Sequence, residues 1–219
     1  MRLIAHRGFA AAAPENTVAA LRSAAERADA VEFDVRRCGS GELVVVHDET
    51  VDRVTDGTGA VADLTLEELR SLTVGRSDER IPTLDEVLAA LPPGVDVNLE
   101  VKAVGVAADV LDALDGVDNR VVVTSFLLPE LRAVRDLDPE QPTGLLAGRS
   151  LDHPVTTAVE LDCDVLGASS RRCLGTRLVS RAKHLGLEVH AWDVEKRLTA
   201  TLLGLRGVDY VSSDRPLRL

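Results

Sequence analysis

A chain of 219 residues with 45% hydrophobic and 28% charged side chains can bury a core of its own, which excludes a disordered segment and a disulfide-stapled mini-fold. Its 36 acidic residues against 25 Lys and Arg leave a formal charge of -11, so its long-range field repels nucleic acid and anionic membranes. Any phosphate bound here must meet a local positive site.

The first β-type run, Leu3-Ile4-Ala5, ends at His6-Arg7-Gly8. Thr17 to Ala28 carries Val18, Leu21, Ala24, Ala25 and Ala28 at helical spacing behind an Asn16 or Thr17 cap. Val31 to Val35 reads as a strand, and the glycine-bearing stretch Arg36 to Glu42 that follows is too short for a parallel crossover. Leu43 to Val46 is therefore expected to return as the second arm of an antiparallel hairpin, which brings His47 beside Glu32 and Asp34. The stretch from Asp48 to Ile81 is the least regular, with a turn at Asp56-Gly57-Thr58-Gly59 and a short capped helix over Leu64 to Leu69, and is a candidate lid or rim. Helix patterns then occupy Thr83 to Leu91, Gly105 to Leu114, Leu128 to Leu137 and Cys173 to Leu185. Strand patterns occupy Val95 to Val101, Val121 to Ser125, Gly144 to Ala147, Asp164 to Ala168, Leu187 to Trp192 and Tyr210 to Ser212. Such alternation predicts an α/β fold on a parallel sheet, as one domain over residues 1–219, with one strand more than an eight-stranded barrel takes.

Glu32 and Asp34 lie two apart in a strand and point to the same side, where like charges are costly unless a cation sits between them; the alternative is an edge strand with one carboxylate in solvent. An oxygen-only set suits Mg²⁺ or Ca²⁺ better than Zn²⁺. Glu100 and Lys102 repeat the spacing at a strand end, either as a third ligand with a phosphate-neutralising ammonium or as a plain salt bridge. His6 and His47 each stand where a strand ends, and such a pair can divide proton transfer to and from a phosphorus centre. Arg7 offers a fork of donors to phosphate oxygens. His153 and His184 read as surface residues. The odd cysteine count, Cys38, Cys163 and Cys173, argues for reduced thiols. No leader-like segment or long uncharged apolar run is seen, so a cytoplasmic setting without stable membrane insertion is expected, and only three lysines with 2% aromatic residues suggest adaptation to high salt.

His6-Arg7-Gly8, Pro14-Glu15-Asn16-Thr17, Glu32-Phe33-Asp34-Val35, Val46-His47-Asp48, Leu99-Glu100-Val101-Lys102, Thr124-Ser125-Phe126 and Trp192-Asp193-Val194 together resemble the glycerophosphodiester phosphodiesterase family. The resemblance runs in order from His6 to Asp214 and implies a distorted (β/α)8 TIM barrel of the phosphatidylinositol phospholipase C type. It implies hydrolysis of small-molecule glycerophosphodiesters to glycerol 3-phosphate and an alcohol, with one divalent cation, Mg²⁺ or Ca²⁺. By position, His6 and His47 match the general acid/base pair, Glu32, Asp34 and Glu100 the metal ligands, Arg7 and Lys102 the phosphate-contacting cations, and Trp192 the aromatic wall beside glycerol or headgroup. The motif Trp192-Asp193-Val194-Glu195 departs from the family's Trp-Thr-Val-Asn by adding two negative charges, which favours a cationic headgroup or reflects the acidic surface. The alternatives are a phospholipase D-like enzyme on lysophospholipids or sphingomyelin, and a non-catalytic phosphodiester-binding barrel. The oligomeric state is not legible from the sequence.

Overall fold

The apolar runs of the sequence become strands that pair edge to edge until the sheet meets itself. In the computed structural model, which describes residues 1–219, these are β1 (Arg2–Ala5), β2 (Ala30–Arg37), β3 (Leu43–Val45), β4 (Asp96–Val101), β5 (Val121–Ser125), β6 (Thr143–Ala147), β7 (Val165–Ser169), β8 (Glu188–Trp192) and β9 (Tyr210–Ser213). The sheet order is β1-β9-β8-β7-β6-β5-β4-β2-β3, and parallel pairing of β1 with β2 closes the ring. Only β3 runs antiparallel, against the end of β2, so the ninth strand is the hairpin arm and eight parallel strands form a TIM-type barrel in a single domain. In the register of β2 and β4, Glu32 lies beside Asn98 and Asp34 beside Glu100, so the inward-facing carboxylates of neighbouring strands are level.

Helices α1 (Val18–Ala25), α2 (Leu66–Ser71), α3 (Leu84–Ala90), α4 (Ala107–Leu114), α5 (Leu128–Leu137), α6 (Pro154–Glu160), α7 (Ser170–Gly175), α8 (Leu178–His184) and α9 (Arg197–Leu205) complete the chain. Their ends are locally encoded. Thr17 caps α1 by accepting from Ala20 N at 3.2 Å, which leaves Asn16 free for the site, and Thr65 with Glu68 and Thr83 with Glu86 form capping boxes on α2 and α3. The single helix expected over Cys173 to Leu185 is two. Thr176 turns extended, donates to Arg172 O and accepts from Leu178 N, so it ends α7 and starts α8. Two helices carry no expectation from the sequence: α6, which begins at Pro154, and α9, whose apolar Leu198, Leu202 and Leu205 face solvent.

Two features position the site. The barrel is plugged at its amino-terminal end by polar pairs, with Arg2 on Asp96 at 2.7 Å, Arg120 on Glu188 at 3.2 Å, and the Tyr210 hydroxyl donating to Glu188 at 3.0 Å. At the other end Gly167 makes room for side chains, since a Cβ there would lie 2.6 Å from Leu146 Cδ2 and 3.1 Å from Trp192. The irregular stretch after β3 packs on a small core of its own, in which Val51, Val61, Leu69, Val74 and Ile81 bury against Cys38, Val44 and Val46 of the hairpin.

Gly8 has φ +75°, and a Cβ there would come 2.9 Å from the Ala20 carbonyl carbon, a backbone atom that cannot swing away. Gly8→Ala is expected to cost about 2–4 kcal/mol from the left-handed backbone and the overpacking together, a fall of roughly 5–15 °C in Tm by circular dichroism. An unchanged Tm would mean that α1 yields freely.

Candidate active site

The carboxyl ends of β2 and β4 bring three carboxylates together. Glu32, Asp34 and Glu100 are all buried, and one oxygen from each lies within 4.8 Å of the others. Their other contacts are specific. Glu32 Oε2 accepts the Arg7 backbone N–H at 2.8 Å, and Asp34 Oδ2 accepts from Asn16 Nδ2 at 2.9 Å and lies 3.3 Å from Arg7 Nε. Lys102 Nζ stands 2.5 Å from Glu100 Oε1 and 3.2 Å from Asp34 Oδ1. Glu32 Oε1 is buried with no hydrogen-bond partner. Burial, with the charges of Asp34 and Glu100, pushes the Glu32 carboxyl up to about 8, and burial with Asp34 raises Glu100. Burial would raise Asp34 too, but Lys102 and Arg7 outweigh it and hold Asp34 below the usual carboxylate range. An orphaned buried oxygen within an all-oxygen donor set fits a hard divalent cation.

His6 follows β1 in a tight turn in which Arg7 has φ +50° and Gly8 φ +75°. Its Nδ1 is 2.6 Å from Asp214 Oδ1, just past β9, and its Nε2 is 3.9 Å from Glu32 Oε2. Burial alone would lower its pKa, but Glu32 and Asp214 raise it to about 9. His47 follows β3, held against β2 by the Val46 N–H donating to Asp34 O at 2.9 Å. Its Nδ1 is 2.6 Å from Asp48 Oδ1. Hydrogen bonding from Arg53 keeps Asp48 ionised far below the usual range, so Asp48 can only accept and the His47 proton belongs on Nδ1, which frees Nε2 for chemistry. Burial outweighs Asp34 and Asp48 and lowers His47, whose imidazole is neutral near pH 7.

Both histidines line a cleft of about 190 Å³, together with Arg7, Lys102, Glu32 and Glu100. Trp192 and Phe126 form its aromatic side, with ring centroids 5.6 Å apart and planes at 66°, so the indole borders the cleft instead of filling the core. Asp193 and Glu195 also line it, and Glu195 Oε1 accepts from Asp214 N at 3.1 Å. The residues expected from the sequence thus converge, and His153 and His184 are exposed.

Three further contributors, Asp48, Asp214 and His190, carry no local signal of their role in the sequence or only a weak one. Asp48 adjoins a histidine and Asp214 stands in Ser213-Asp214-Arg215-Pro216, but nothing local shows that each carboxylate turns back on an imidazole. His190 is buried, lines the cleft, has an unpartnered Nε2 and is depressed to about 3 by burial and by His6; its alternation with Trp192 in β8 was the available signal.

Comparison with known proteins agrees with this geometry. The glycerophosphoryl diester phosphodiesterase family model matches residues 6–218. A glycerophosphodiester phosphodiesterase of Caldanaerobacter subterraneus is 35% identical over 98% of this chain and 94% of its own. Among solved structures, an Oleispira antarctica phosphodiesterase in complex with the product sn-glycerol-3-phosphate superposes with a TM-score of 0.91 at 31% identity, covering 99% of this chain and 94% of that one. A glycerophosphodiester phosphodiesterase of Agrobacterium tumefaciens gives 0.87 at 26% identity over 99% and 97%. The chain belongs to the glycerophosphoryl diester phosphodiesterase family of phosphoric diester hydrolases.

Proposed function

We propose that this chain, acting as one catalytic domain over residues 1–219, hydrolyses glycerophosphodiesters to glycerol 3-phosphate and an alcohol, with His6 and His47 as its proton-transfer groups. The observation that carries the reading is the arrangement of these two imidazoles, each bonded at Nδ1 to a carboxylate 2.6 Å away, around a buried cluster of three carboxylates. The product held by the Oleispira relative supports glycerol 3-phosphate as the product here. The cluster's charge and the orphaned Glu32 oxygen support one divalent cation, held by Glu32, Asp34 and Glu100. When bound, such an ion supplies Lewis-acid polarisation of a phosphate oxygen, and the oxygen donors suit Mg²⁺ and Ca²⁺ equally.

The chain's own residues supply the rest. Arg7 and Lys102 place fixed positive charge where phosphate oxygens gain negative charge. One imidazole takes the proton of the attacking hydroxyl as the new P–O bond forms, and the other gives a proton to the alkoxide as the old P–O bond breaks. The attacking hydroxyl belongs to water, or to the glycerol 2-position with water opening the cyclic phosphate afterwards; both routes use the same residues. The lysophospholipid reading is not favoured, because the cleft lining is mostly polar and offers no trough for an acyl chain. A purely binding barrel leaves the two oriented imidazoles without a use. No helix is long and apolar enough to cross a membrane, and the acidic, lysine-poor composition supports a high-salt setting.

His6→Ala and His47→Ala are each expected to lower kcat on glycerophosphocholine by ~10² to 10⁴ while the Tm stays near that of the parent. Glycerol 3-phosphate release measures this, and near-parental turnover in both variants sinks the acid/base reading. Because burial and the neighbouring carboxylates raise the Glu32 pKa well above the usual carboxylate range, cation binding at pH 7 is expected to release protons, with affinity rising with pH. Calorimetry in buffers of different ionisation enthalpy reads this directly, and a buffer-independent heat would contradict it. A positive headgroup would be held between the Trp192 and Phe126 faces and the carboxylates of Asp193 and Glu195. Asp193→Asn with Glu195→Gln is therefore expected to cut the preference for glycerophosphocholine over a glycerophosphodiester with an uncharged headgroup by roughly three- to tenfold in kcat/KM. An unaltered ratio would make the rim charges mere surface.

A further inference from the structure

We infer that Arg53 is a positioning residue for the hydrolysis proposed above: its guanidinium joins the phosphate clamp Arg7 to the proton-transfer residue His47 through two carboxylates. Arg53 touches neither the carboxylate cluster nor the cleft lining. It lies in the irregular stretch after β3, on a helical turn in which Val54 and Thr55 N–H donate to Val51 O, and Val51 is wholly buried in that segment's own small core. From there its fork reaches two partners. Nη1 and Nη2 each donate at 2.8 Å to the two oxygens of Glu15, and Nε donates at 2.5 Å to Asp48 Oδ2. Glu15 Oε1 also accepts from Arg7 Nη1 at 2.9 Å, and the other oxygen of Asp48 holds His47 Nδ1 at 2.6 Å.

The result is one chain of charge-assisted bonds, Arg7, Glu15, Arg53, Asp48, His47, in which two cations balance two anions. Each carboxylate spends one oxygen on a site residue and keeps a bond to Arg53. Without the guanidinium, Asp48 could rotate about its side chain and release the imidazole, and Glu15 would lose the fork that fixes the oxygen receiving Arg7. Half of the Arg53 side chain is exposed, so its contribution to stability is small. Its effect is geometric, and a misplacement of about 1 Å at a reacting group can cost ~10²-fold in rate. Lysine cannot replace it, because an ammonium has no planar fork to span both carboxylates.

The test compares Arg53→Met and Arg53→Lys with the parent enzyme. Arg53→Met is expected to lower kcat on glycerophosphocholine by roughly 10- to 100-fold, with a smaller change in KM and a Tm within a few degrees of the parent. Arg53→Lys is expected to fall between the two. If Arg53 acts through Asp48, the double variant Arg53→Met with Asp48→Asn loses no more kcat than the worse single variant, whereas independent roles multiply. A readout that needs no turnover is the downfield N–H proton resonance of His47, assigned by its loss in Asp48→Asn; it is expected to broaden or vanish in Arg53→Met. Arg53→Met at parental kcat, multiplying losses in the double variant, or an unchanged His47 resonance would overturn the inference. Should Arg53→Met fail to fold, Arg53→Lys at parental kcat overturns it equally. If the parent enzyme released no glycerol 3-phosphate, the proposed activity would fail while the resonance still decided the place of Arg53.

Discussion

Three carboxylates buried within 4.8 Å of one another are the constraint around which the rest of this protein is arranged. Like charges so placed in a low-dielectric interior repel strongly, and each also loses its hydration. The fold answers with donors drawn from distant parts of the chain: the Arg7 backbone and guanidinium from the turn after β1, Asn16 from the approach to α1, and Lys102 from the end of β4. These do not finish the task, since Glu32 Oε1 has no partner and Glu32 answers by holding its proton up to about 8. A site left incomplete by its own protein is one shaped for a ligand.

The barrel makes that arrangement affordable. Parallel strands in register put Asp34 level with Glu100, and closure by the pairing of β1 with β2 carries His6 to the same rim. The antiparallel arm β3 does for His47 what a βα loop does elsewhere in the fold, returning it to the end of β2 from which Asp34 projects. Stability comes from elsewhere, chiefly from the apolar layer between strands and helices, which joins Leu21, Phe33, Leu99, Leu131, Leu145 and Leu166 in one core. The small core under the irregular stretch is separate from it, so that segment can hold its own shape beside the rim.

The sequence made legible what depends on periodicity and spacing. Alternation at Glu32 and Asp34, the short Arg36 to Glu42 connection, and histidines at strand ends were enough to place the hairpin and gather the principal site residues, because a strand's period is fixed by its backbone. What stayed hidden depends on contacts across long sequence separations. Asp214 meets His6 only because β9 lies beside β1, and Arg53 meets Glu15 only once the irregular stretch has folded on itself. The break between α7 and α8, which falls inside the helix expected over Cys173 to Leu185, rests on Thr176, whose hydroxyl bonds to both flanking turns. Helix α9 shows no clear apolar stripe in the sequence, because Leu198, Leu202 and Leu205 point outward and only Ala200 and Leu203 are buried.

The two imidazoles share a geometry yet differ in charge, and their surroundings explain it. Each loses hydration and each gains a carboxylate at Nδ1. At His6 the attraction of Glu32 and Asp214 overcomes burial and raises the pKa to about 9, whereas at His47 burial outweighs Asp34 and Asp48, with Lys102 and Arg7 adding to the fall below its ordinary value. The attraction that raises His6 comes from the same carboxylate that is short of a partner. A cation held at Glu32 would therefore compete with the His6 proton for one negative charge, so that loading of the site and protonation of its nearest imidazole would be thermodynamically linked. The linkage has a direction: a cation held by these carboxylates would offset the negative charge that raises His6 and so bring its pKa down.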